Sequence, residues 1–199
     1  GLTGKNTYRM QSLMIEDSLV GLAQMDEGPE RNNVMIGGNM TSWYGGFDSM
    51  IVAQEFNTNI YAPSMGRKIP QEDELDINHL PYMNWTQWIH SLNTGMKYGV
   101  HLMRTHAAGT FALNCAYLGI PCIGYKGLDS QDILHPACSV DVGDIKSAKE
   151  IANLLKTDTN FYDRCSNFAK DAYESIYKES KYKENMNYIF KQELVGKTK

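Results

Sequence analysis

The stretch Tyr98-Gly-Val-His-Leu-Met-Arg-Thr-His-Ala-Ala-Gly-Thr-Phe-Ala-Leu-Asn-Cys-Ala-Tyr-Leu-Gly-Ile-Pro-Cys-Ile-Gly-Tyr125 decides the fold. Residues 98–103 form a short apolar run, as expected of a strand buried on both faces. The small residues Ala107, Ala108, Gly109 and Thr110 then make a tight connection, and residues 109–118 read as a helix that Gly119 stops. Residues 121–125 read as the next strand. Strand, loop, helix and strand in this order make a parallel crossover unit.

The same alternation extends outward. Residues 34–38 end in Gly37-Gly38 and read as a strand, 47–56 as a helix and 59–63 as a strand. Residues 67–74 are polar and read as a loop, and 75–80 as a short third strand. Asn84 is a suitable N-cap for a helix carrying Trp85, Trp88, Ile89 and Leu92. After the central unit come a helical turn at 129–134, a last strand at 139–142 and helices at 146–156, 158–178 and 182–194. Residues 8–25 have roughly helical apolar spacing, broken by Gly28-Pro29. The expected fold is α/β, a doubly wound parallel sheet (Rossmann-like) with C-terminal helices. In such a sheet ligands sit beyond the carboxyl ends of the strands. The loops after Gly38, Leu80, Met103 and Tyr125 are therefore the candidate site.

Bulk properties narrow the function. The chain has 199 residues, 42% hydrophobic and 21% charged, which suits one α/β domain with a real core. A net charge of −4 with no clustered Lys and Arg argues against nucleic acid as a partner. Cys115, Cys122, Cys138 and Cys165 form no CxxC pair and read as reduced structural thiols, which favours a cytoplasmic setting. His79, His90, His101 and His135 lack metal-ligand spacing, so no metal and no cofactor is expected. No apolar run reaches the ~18 residues of a transmembrane segment. A chain that opens on Gly1 rather than Met reads as starting inside a longer one.

The chemistry is concentrated in the connection before residue 111. Free N–H groups at a helix start favour a phosphate, and Thr110 adds a hydroxyl donor. The competing reading is a plain tight turn, because neither GxGxxG nor GxxxxGK[ST] is present.

The segment 109–124 resembles the donor-site helix of GT-B-type glycosyltransferases, group 1 and GT4-like, with the pattern G-x-x-x-L-E-A-x-A-x-G-x-P-V-I. Leu80-Pro-Tyr-Met resembles that family's segment beside the nucleobase. Gly46-Phe-Asp-Ser-Met-Ile-Val-Ala resembles its "GFD" helix start, and residues 162–177 resemble the helix after the last strand. The matches cover about residues 33–180. The resemblance implies a C-terminal, donor-binding domain at 33–180, preceded by a helix and linker at 1–32 and followed by a helical extension at 181–199. It implies transfer of sugar from a UDP- or GDP-sugar, with an N-terminal partner domain supplying the acceptor site.

Carried over residue by residue, the resemblance makes Gly38, Tyr82, Arg104, His106, Gly109, Thr110, Asn114 and Asp129 the donor-binding candidates. Tyr82 lies beside the expected base, Asn114 near the ribose, and His106 and Thr110 near phosphate. Asp129, with Ser130 and Gln131, follows the strand that ends at Tyr125. The sequence also departs from the family. His106 and Asn114 replace two glutamates, and Gly45 and Asn39 stand where a Lys and an Arg are usual. Arg104, Arg67 or Lys68 are the candidates to supply the missing charge. Two alternatives stay open: a non-catalytic nucleotide-sugar-binding or interaction module, and a UDP-sugar 2-epimerase-like enzyme, whose Ser-Gly-Gly loop and glutamate pair are not matched.

Overall fold

The computed structural model describes residues 8, 10–19, 31–63, 68, 70–105 and 110–195. Six parallel strands form one sheet: β1 (Asn33–Ile36), β2 (Ile60–Pro63), β3 (Asn78–Leu80), β4 (Met96–His101), β5 (Cys122–Tyr125) and β6 (Ser139–Val140). Their order is β3-β2-β1-β4-β5-β6, and each neighbouring pair is parallel. The connecting helices are α1 (Gly46–Ala53), α2 (Trp85–Gly95), α3 (Phe111–Tyr117) and α4 (Asp129–Leu134). Helices α5 (Ile145–Thr157), α6 (Thr159–Ala172) and α7 (Glu179–Val195) follow the sheet. This is the expected doubly wound architecture.

The apolar runs are continuous because both faces of the sheet are covered. Along β1, Val34 and Ile36 enter one core with Val52, Phe56, Ala148 and Leu155. Met35 between them points the other way, into a second core with Ile89, Leu92, Phe111 and Leu113. All four cysteines are free and buried. At α2, Asn84 accepts from the Gln87 N–H at 2.9 Å while the Gln87 side chain accepts from the Asn84 N–H at 3.0 Å. That reciprocal pair is the expected cap.

Several elements differ from the sequence reading. β4 runs from Met96 to His101 rather than over 98–103. It leaves the sheet early because the Leu102 N–H donates to Ser49 Oγ at 2.9 Å instead of to a strand. The region expected to be a loop contains a 3-10 turn at Pro70–Glu74, with Glu72 buried. β3 keeps only the last three expected residues and β6 only the first two. The helix expected over 158–178 opens into a π turn at Tyr173–Tyr177, which turns both tyrosines inward. The helix expected over 8–25 is replaced, among the described residues, by a single 3-10 turn at Glu16–Leu19; 20–25 lie outside them.

The segment 8–19 is held by the C-terminal elements instead of by helical bonds of its own. The Glu16 N–H donates to Glu179 Oε2 at 2.7 Å, and the Glu179 N–H donates to Glu16 Oε1 at 3.1 Å. The Tyr173 hydroxyl donates to the same Glu16 oxygen at 2.6 Å. Met14 and Leu19 are buried in the second core.

One buried polar residue ties the sheet to α3. His135 Nδ1 accepts from the Cys122 N–H at 3.3 Å, and Nε2 donates to the Ala112 carbonyl at 2.9 Å. That arrangement needs a neutral imidazole. Burial pulls the pKa down to about 4. The folded pKa lies below the unfolded value near 6.5, so the stabilisation is present above pH 6.5 and is lost as pH falls toward 4. Urea unfolding at pH 7 and pH 4 should show an acid-induced loss about 3 kcal/mol larger in the wild type than in His135→Gln. Equal losses in both proteins would refute this account of His135.

Candidate functional site

The sheet has one topological switch point. From β1 the chain winds outward through β2 and β3, then returns to β4 on the other side of β1. The connections leaving the carboxyl ends of β1 and β4 lead to helices on opposite faces of the sheet, and in folds of this kind ligands bind at that point. Gly37 and Gly38 follow β1 there. His101 ends β4, Arg104 lies beyond it, and Phe111 of α3 packs against the His101 ring.

The β1 loop is a rigid turn. Asn39 is buried, and its Oδ1 accepts from the Thr41 N–H at 3.1 Å and from the Thr41 hydroxyl. Thr41 in turn accepts at its carbonyl from the N–H groups of Tyr44 and Gly45 at 3.0 and 3.2 Å. Gly38 has φ +84° and Gly45 φ +65°. A Cβ on Gly45 would stand 1.9 Å from the Leu102 carbonyl oxygen. The α1 start thus lies directly on the β4 exit, and Ser49 Oγ bridges them, donating to Gly45 O and accepting from the Leu102 N–H, both at 2.9 Å. Farther out, the Thr105 hydroxyl donates to the Trp43 carbonyl at 2.7 Å.

At the rim sits a polar cluster that the sequence reading missed. Arg104 donates from Nη2 and Nε to Asp48 Oδ2 at 2.8 and 3.3 Å. The Tyr125 hydroxyl donates to the same oxygen at 3.0 Å. Burial, reinforced by Asp48, pushes the Tyr125 pKa up to about 12. Asp48 therefore joins α1, the β4 exit and β5 at one carboxylate. Arg104 stays half-exposed, a cation fixed beside the switch point.

The remaining candidates are spread along the carboxyl edge. His106 and Gly109, with Ala107 and Ala108, lie outside the described residues. Thr110 is exposed before α3, and its side chain makes no cap hydrogen bond. Asn114 is buried in α3. Its amide oxygen accepts from Trp88 Nε1 at 3.1 Å and its NH2 donates to the Thr110 carbonyl at 3.3 Å. Tyr82, 85% exposed, stands past the end of β3. It borders an open groove of about 480 Å³ lined by Pro81, Met83, Thr86, Gln87 and His90. Asp129 is exposed at the α4 start. Gln131 is committed elsewhere: its amide donates to the Cys122 carbonyl at 2.9 Å and to Ser139 Oγ at 3.1 Å, pinning α4 to the last two strands.

Of the possible replacement cations, Arg67 is outside the described residues, and Lys68 is paired with Asp73 in the segment after β2. Arg104 is the one placed at the switch point. Among the described residues no group of three or more His, Cys, Asp and Glu is arranged to hold a metal. None of the described helices is long and apolar enough to cross a membrane.

The sheet order and its flanking helices define a Rossmann-like, doubly wound α/β fold of the kind found in one half of GT-B glycosyltransferases. Solved structures bear this out at low sequence identity. Sucrose-phosphate synthase from Thermosynechococcus elongatus superposes with a TM-score of 0.68 at 11% identity, over 92% of this chain and 50% of that one. Anabaena HepE, determined in complex with UDP-glucose, gives 0.65 at 11% identity over 88% of this chain and 51% of its own. TarM of S. aureus gives 0.63 at 15% over 89% and 43%. The chain spans about half the length of these glycosyltransferases. No family model and no curated protein matches it.

Gly45→Ala tests the packing between the β1 and β4 loops. It adds a left-handed backbone penalty to a clash with a carbonyl oxygen that cannot swing away. We expect a loss of about 3 kcal/mol, or roughly 6–12 °C in a thermal melt. A shift under about 2 °C would mean the two loops do not pack this closely.

Proposed function

We propose that the chain is the donor-binding domain of a glycosyltransferase that uses a UDP- or GDP-sugar. One observation carries the reading: a topological switch point between β1 and β4, on a fold shared with half of a structure determined with UDP-glucose. Gly38, with no side chain, lets a ligand approach the β1 loop. Residues 106–109 and the Thr110 hydroxyl receive the diphosphate. Arg104, steadied by Asp48, supplies positive charge to the leaving nucleotide. Asn114 retains one amide hydrogen and one oxygen lone pair beyond its bonds to Thr110 and Trp88, and these face the ribose hydroxyls. Tyr82 offers a ring to the base, and Asp129 reaches the sugar.

No metal enters this scheme. Charge at the departing diphosphate is met by hydrogen-bond donors and one guanidinium. An N-terminal partner domain would close over the site and supply the acceptor, and the setting would be cytoplasmic. A non-catalytic binding role is the second reading. It is favoured by the two family cation positions, since Asn39 is spent on its own turn and Gly45 has no room for a side chain.

Calorimetry with UDP, GDP and uridine tests the proposal. The diphosphates should bind and uridine should bind more weakly. Thr110→Val should weaken diphosphate binding by about 0.5–1.5 kcal/mol, the worth of a neutral hydrogen bond. Arg104→Gln should weaken it about tenfold or more, as expected for a charge-assisted contact. No heat with either diphosphate at millimolar concentration would remove the donor-site reading.

A further inference from the structure

The last residue of β4 is His101, between the buried Val100 and Leu102. Its ring meets Phe111 edge-on, with centroids 5.4 Å apart at 78°. The Nε2 atom is buried, and among the described residues no hydrogen-bond partner reaches it. An unpaired buried nitrogen costs about 1–3 kcal/mol, whereas an apolar ring in the same place would cost nothing of the kind. The position is thus a poor one for imidazole as packing alone.

The surroundings of that nitrogen are specific. A Cβ on Gly38 would stand 3.4 Å from His101 Nε2, and a Cβ on Gly37 would stand 2.7 Å from the ring. The ring therefore packs directly on the Gly37 backbone, with Nε2 beside Gly38 at the carboxyl end of β1, where the sheet order switches. The other buried histidine nitrogen without a hydrogen bond, Nε2 of His79, has the Glu72 carboxylate 3.7 Å away. Among the described residues His101 has no such neighbour, and burial pulls its pKa down to about 4. Near neutral pH the ring is uncharged, so one ring nitrogen carries a hydrogen and the other a lone pair.

We propose that His101 is a ligand-binding residue, its Nε2–H donating to a diphosphate oxygen of a nucleotide bound at the β1–β4 switch point. The inference rests on the donor-site reading above and adds a residue that reading does not include. The donor is a dipole, held rigidly by Phe111 and the glycines. It stands at the end of β4, beside β1 at the switch point, whereas Tyr82 lies past the end of β3, so its reach is to the phosphates rather than to the base near Tyr82.

The test uses the 199-residue chain with UDP and with uridine. His101→Phe keeps the aromatic volume against Phe111 and removes the donor. Calorimetry should show UDP affinity about tenfold weaker, as for loss of one hydrogen bond to a charged group. Uridine affinity should be unchanged. UDP affinity unchanged in a folded His101→Phe protein would overturn the proposal and leave the donor-site reading standing. If the wild type binds no UDP, both fall together. Should the variant not fold, wild-type protein labelled with 15N-histidine decides the matter. The His101 Nε2 resonance should move on saturation with UDP and stay in place with uridine; no movement with UDP would overturn the proposal.

Discussion

The contact between the α1 start and the β4 exit is the constraint on which the rest of the carboxyl edge depends. Gly45 lies against the Leu102 carbonyl at a distance no other residue tolerates, and Ser49 Oγ satisfies both backbones at once. That seam ends β4 at His101, directs Leu102 into the core and sends Arg104 outward to Asp48. Without it the loops after β1 and β4 would have no fixed separation. The glycine at this position also explains a departure from the family pattern. A lysine there would meet a backbone oxygen before it met a phosphate.

The electrostatics are correspondingly sparse. A net charge of −4 and one anchored guanidinium give this edge little general pull on anions. Recognition of a phosphate would rest on short-range donors, which act only where they are aimed. Asp48 fixes that aim for Arg104, and it also accepts from the Tyr125 hydroxyl. One carboxylate thereby couples three elements that are far apart in sequence.

The sheet was legible in the sequence because its strands are apolar runs buried on both faces and separated by glycine-bearing connections. The helix at Asn84 was legible because its cap is a local device, an amide and a glutamine three residues apart. What the sequence concealed was non-local. Nothing within a few residues of His101 shows that Nε2 ends without a partner. Nothing near Ser49 shows that its hydroxyl shortens a strand fifty residues away. Segment 8–19 carries helical spacing, yet its polar groups are taken by Glu179, Tyr173 and the π turn, and tertiary bonds outweighed a weak local preference. Asn114 was singled out by its place in a pattern, but its bond to Trp88 depends on how α2 and α3 cross.

The pairing of segment 8–19 with the C-terminal elements has a mechanical side. The bonds run antiparallel: Tyr8 to Glu193, Gln11 to Asn185 and Glu16 to Glu179. Residues early and late in the chain are thus brought to one place and point the same way. Tension applied there would open the seam bond by bond, like a zipper, instead of shearing it all at once. Each polar bond that opens is replaced by water at little net cost, while Met14 and Leu19 hold the inner end in apolar core. The joint is therefore soft at its outer end and stiff at its inner end, and a body attached on that side would swing while the sheet kept its shape.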